Sequence, residues 1–152
     1  MRKLCGLIVA LTSILAVSGL ALASPPDPKN FVAVLSAECP QAAANWRGIA
    51  VFHLNDDGSI DYKVVINNVD EAIIAGHIHF LPPGEPRGPI VQDLMTTGSA
   101  EHHGVIAEGT FTNPTLVAGL LAGAEYYVNL HTVTCLLPLG AVRGPLEEAP
   151  PG

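Results

Sequence analysis

Three histidines have the side-chain chemistry and the spacing to hold a metal ion. His77 and His79 flank Ile78 in the stretch "AGHIHFLPPGEPRGPI", residues 75–90, and His131 stands in "YYVNLHT", residues 126–132. Side chains on a β-strand alternate between faces, so His77 and His79 share one face and Ile78 takes the other. Same-face neighbours lie about 6–7 Å apart, which lets two imidazoles converge on one ion. His131 completes a three-imidazole set if its strand pairs with or faces the first. Imidazole suits copper and zinc, and a three-histidine set leaves one coordination position open. The competing reading is a buried polar network that fixes strand register. His53 reads as a surface residue of its strand. His102-His103 reads as a solvated loop pair, of which only one ring can turn toward any cluster.

Other chemistry is sparse. Glu38 and Arg143 are a candidate partly buried ion pair; most such pairs are structural, and surface ones contribute little. No nucleophile elbow, phosphate loop or dinucleotide fingerprint occurs. One Trp, three Tyr and four Phe are few for a carbohydrate platform or an aromatic binding hot spot.

The elements that must position the histidines follow from patterning. Arg2 and Lys3 precede an almost wholly apolar run, Leu4 to Leu22, and Ala21-Leu22-Ala23 fits a small-x-small cleavage site. Residues 1–23 therefore read as a secretory signal, with a retained membrane anchor as the alternative. Residues 24–30 read as a mobile leader. Removing the signal leaves 129 residues with five basic and fourteen acidic side chains, a formal charge of −9. Such an acidic chain without a basic cluster argues against nucleic-acid partners and anionic membranes, and no second apolar span follows. Cys5 departs with the signal, and Cys39 and Cys135 remain. In an oxidising compartment a disulfide between them is the expected reading, with Cys135 as a metal ligand the alternative.

Short strands are expected at residues 31–35, 48–54, 60–66, 73–80, 89–94, 104–111, 126–132 and 141–146. The turn signal Asn55-Asp56-Asp57-Gly58 joins the second and third as a hairpin. Asn113-Pro114-Thr115 opens one short helix, with Leu116, Leu120 and Leu121 on its apolar face and Gly123 as its stop. This pattern reads as an all-β antiparallel Greek-key sandwich or barrel, immunoglobulin-like or superoxide-dismutase-like, with one short helix. Residues 147–152 read as a disordered tail. Arg87-Gly88-Pro89 and Arg143-Gly144-Pro145 each follow a histidine-bearing strand, and each Gly-Pro reads as the start of a strand where no amide donor is needed.

Four ordered motifs then resemble the CHRD domain, named after chordin. They are "FVAVLSAECP" at 31–40, "GHIHFLPPGEPRGPIVQDL" at 76–94, "YYVNLHT" at 126–132 and "VRGPL" at 142–146. The resemblance covers residues 31–146. It implies an immunoglobulin-like β-sandwich or barrel in an exported, secreted or periplasmic protein. It also implies that His77, His79, His131, Arg143 and Glu38 occupy family positions. Cys39, Cys135 and Arg87 depart from the general pattern, as do the Pro-rich loops 81–86 and 136–140. A looser architectural likeness to copper/zinc superoxide dismutase rests on the His-x-His strand alone, since the rest of that ligand set is missing.

The expected function is a non-enzymatic exported CHRD-like module with a binding or structural role, holding copper or zinc through His77, His79 and His131. The alternative is a copper/zinc-dependent redox enzyme of superoxide dismutase type. A third reading, an adhesion module for another exported protein, requires an exposed apolar patch or a long open sheet edge.

Overall fold

The computed structural model describes residues 29–95, 98–136 and 138–150. The expected signal sequence, residues 24–28 of the leader and residues 151–152 of the tail lie outside the described residues. Eight strands and one helix follow in chain order: β1 (Lys29–Ala37), β2 (Arg47–Leu54), β3 (Ser59–Asn67), β4 (Ile73–Phe80), β5 (Ile90–Asp93), β6 (Gly104–Thr112), α1 (Pro114–Leu121), β7 (Tyr126–Thr132) and β8 (Val142–Glu148). Each expected strand is present, with ends shifted by no more than two residues. β1 starts inside the expected leader, and Lys29 reaches Glu148 with an ion pair of 3.0 Å. β8 runs into the expected tail, because Glu147 and Glu148 pair with Val32 and Phe31.

All pairings are antiparallel and belong to one sheet, in the order β5-β4-β7-β8-β1-β2-β3-β6. The expected all-β antiparallel architecture with one short helix is present, and its eight strands form one curled sheet. Among the described residues there is neither a second sheet nor a ladder closing β5 onto β6, and the single sheet curls into a half-barrel. Side chains bridge the gap between its edges. The Tyr62 hydroxyl on β3 donates to the Leu94 carbonyl just beyond β5 at 2.7 Å. Asn113, just beyond β6, donates from Nδ2 to the Val91 carbonyl of β5 at 2.9 Å.

Alternation decides what fills the curl. Phe31, Ala33 and Leu35 of β1, Ala50, Phe52 and Leu54 of β2, and Ile60, Val64 and Ile66 of β3 point inward and are buried. Ile78 of β4 and Val128 and Leu130 of β7 join the same cluster. Asn113 caps α1, its Oδ1 accepting from the Leu116 amide at 3.0 Å, and Gly123 ends the helix at φ 76°. Leu116 and Val117 are the buried helix residues, whereas Leu121 is exposed, so the apolar face is rotated from the one expected.

Candidate metal centre

β7 is the only strand of the described residues in which every position is buried. Its core face carries Tyr126, Val128 and Leu130. Its other face carries Tyr127, Asn129 and His131 and must be covered by something other than the core. β4 lies beside it and presents His77 and His79 to that same face. The register sets His79 across from Tyr127, His77 across from Asn129, and Ala75 across from His131. The small side chain of Ala75 leaves room between His131 and His77, whose ring centroids stand 5.1 Å apart. His77 and His79 are 5.6 Å apart, edge to face. One nitrogen from each of the three rings lies within 4.8 Å of the others. An ion equidistant from three atoms at that separation lies at most about 2.8 Å from each, and ring rotations that move each nitrogen by under about 1 Å bring this to the roughly 2.0–2.1 Å of a zinc–nitrogen bond.

Two loops close over this face. The segment after β4 turns back so that the Gly88 carbonyl meets His79 Nδ1 at 2.9 Å. A carbonyl only accepts, so Nδ1 carries the proton and Nε2 keeps its lone pair free. Gly88 is required there, because a Cβ would overlap the Phe80 carbonyl and the Pro82 ring. The segment after β7 returns at Gly140, where any Cβ would collide with the Asn129 side chain. Cys39 and Cys135 form a disulfide, with Cα atoms 6.0 Å apart, that ties the end of β1 to this second loop. Cys135 is thereby committed to sulfur rather than to a metal.

The rings are short of partners. His77 Nδ1, His79 Nε2 and both nitrogens of His131 are buried without a hydrogen bond. Burial holds all three imidazoles below the usual histidine range. At His77 the neighbouring His131 and His79 push the same way, and Asp93, 3.7 Å from Nε2, opposes them. At His79 the Gly88 carbonyl opposes burial. The backbone at Cys135 and Leu139 opposes it at His131 without reaching hydrogen-bond geometry. Neutral rings with free lone pairs are the form that ligates metals.

A second layer backs His79. Tyr127 stacks on it with centroids 4.7 Å apart and planes 9° from parallel. Arg143 lies over Tyr127, 3.7 Å from its centroid. Glu38 Oε1 meets Arg143 at 3.2 Å and Arg87 at 3.6 Å, while Oε2 accepts the Gly140 amide at 2.7 Å. Glu38 therefore joins both arginines of the repeated Arg-Gly-Pro tripeptides to the loop that closes over His131. Sequence reasoning paired Glu38 with Arg143 but missed Arg87, Tyr127 and Asn129. The repeated tripeptide was the available signal for Arg87. His53, His102 and His103 lie outside the cluster, bonded to Asn30, the Val69 carbonyl and Asn67.

The family profile of the CHRD domain matches residues 31–146. The chain belongs to the CHRD family. The CHRD match spans every residue of the histidine cluster and of the layer behind it. No curated protein and no solved structure matches the chain.

Proposed function

We propose that this CHRD domain is an exported binding module that holds one copper or zinc ion on His77, His79 and His131. One observation carries the reading: four buried imidazole nitrogens lack partners, and the three rings converge within 4.8 Å. A buried polar atom left unpaired costs about 1–3 kcal/mol, so a cluster of them calls for something to satisfy it. A polar network fixing strand register would need hydrogen bonds between the rings, and none is made. The Gly88 carbonyl presets His79 for ligation through Nε2, as partners of metal-bound histidines do.

The disulfide supports export, since cysteine pairs persist in oxidising compartments. No helix among the described residues is long and apolar enough to cross a membrane. His79 and His131 are almost fully buried, which favours a held ion serving storage, delivery or stability over a redox centre that small molecules must reach.

The test is metal analysis of the purified protein, then titration of the metal-free form with zinc and copper, and a superoxide assay. One ion per chain, lost in His131→Ala, supports the reading. Superoxide turnover by the loaded protein would move it to the enzyme alternative. No stoichiometric binding of either ion would overturn it.

A further inference from the structure

The outward face of β1, β2, β3 and β6 carries an aliphatic surface with no layer over it among the described residues. Val34, Ile49, Val65 and Val105 form one row straight across these four strands. Val32 and Val51 begin the next row, which continues to Lys63 and Glu108, ion-paired at 3.0 Å. Val34 is the most exposed of the six valines and isoleucines, at 67%. Patches of this kind on an all-β chain mark contact surfaces.

We propose that a second copy of this chain packs on this face, sheet against sheet. Three observations select a second copy. First, the charged residues of the face are Arg47, Asp61, Lys63 and Glu108, which sum to zero. On a chain of formal charge −7 this is a surface where two copies meet without like-charge repulsion. Second, the face carries a knob and a hollow. Val34 stands out from it, and beside Val32, Val51 and Lys63 lies an apolar depression of about 570 Å³. A two-fold contact needs such a pair on one surface, each knob entering the other copy's hollow. Third, the area is sufficient. The two aliphatic rows, with the polar rows Asn30–His53–Asp61 and Ser36–Arg47–Asn67 on either side, cover roughly 19 Å by 27 Å, or about 1,000 Å² over both copies, at the lower limit for a specific interface. The dimer is therefore weak and concentration-dependent. The inference is independent of the metal reading.

Sedimentation velocity of the purified exported protein, from about 1 μM to about 1 mM, tests it. A monomer–dimer equilibrium is expected. Val34→Glu should weaken it by about tenfold or more, since it buries two unpaired carboxylates. Leu121→Glu, an exposed aliphatic on α1 away from this face, should leave it unchanged. Near-UV circular dichroism checks the fold, and if Val34→Glu alters it, Val34→Ser gives the reading. A monomer throughout the range would overturn the proposal. So would a dimer indifferent to both Val34 variants, or one lost equally in Leu121→Glu. Binding to neutral phosphatidylcholine vesicles in place of self-association would overturn it in favour of a lipid surface.

Discussion

His79 is held on three sides: Gly88 fixes its tautomer, Tyr127 stacks on its ring, and the register across β4 and β7 sets its position. Partners of this kind tune affinity without touching the ion. Tyr127→Ala should therefore weaken zinc binding by about 10- to 100-fold while a folded protein remains, measured by competition with a chelator. The burial of the three imidazoles also has a sign. Their folded pKa values lie below the unfolded value of about 6.5, so below that pH the unfolded chain takes up protons first. The stability of the metal-free protein should be full above pH ~6.5 and fall as the pH drops below it. Urea melts of metal-free protein at several pH values check this, and the slope should flatten when all three histidines are replaced by Gln.

At the scale of elements, β7 joins the two halves of the molecule's chemistry. One face completes the core through Val128 and Leu130, and the other carries His131 and the Tyr127 platform. The loop that follows depends on the Cys39–Cys135 disulfide and on Glu38. The disulfide closes a sequence separation of 96 residues, for which chain entropy gives about 4–5 kcal/mol. Replacing both cysteines by Ser should lower stability by about 2–5 kcal/mol in denaturant melts. Zinc affinity should fall with it, because Gly140, which packs against Asn129 beside the histidines, loses the anchor at Cys135. The strand segments themselves were legible in sequence. Period-two alternation in "IDYKVVI" and the Asn-Asp-Asp-Gly turn are local signals, and β2 and β3 pair as those signals require. Leu121 was misplaced because the helix is a two-turn element whose orientation is set by the sheet it packs on, not by its own periodicity.

At the scale of the molecule, the half-barrel is held across its open side by Tyr62 and Asn113 instead of by a ladder. Asn113 both caps α1 and bonds β5. Asn113→Ala should cost about 1–3 kcal/mol, and Tyr62→Phe, which loses a single hydrogen bond, about 1 kcal/mol; thermal melts of the two variants separate them. The sequence by itself determined which segments are extended, that His77 and His79 share a face, that the chain resembles a CHRD domain, and that two cysteines were available to pair. Those properties depend on alternation, turn residues and motif order, which act over a few residues at a time. Only the tertiary structure decided that β4 lies beside β7, that Tyr127, Arg143, Glu38 and Arg87 stand in a chain behind His79, and that all eight strands join one curled sheet. Each of these rests on pairing between strands far apart along the chain, where the choice of neighbour is made by the shape and burial of the whole sheet.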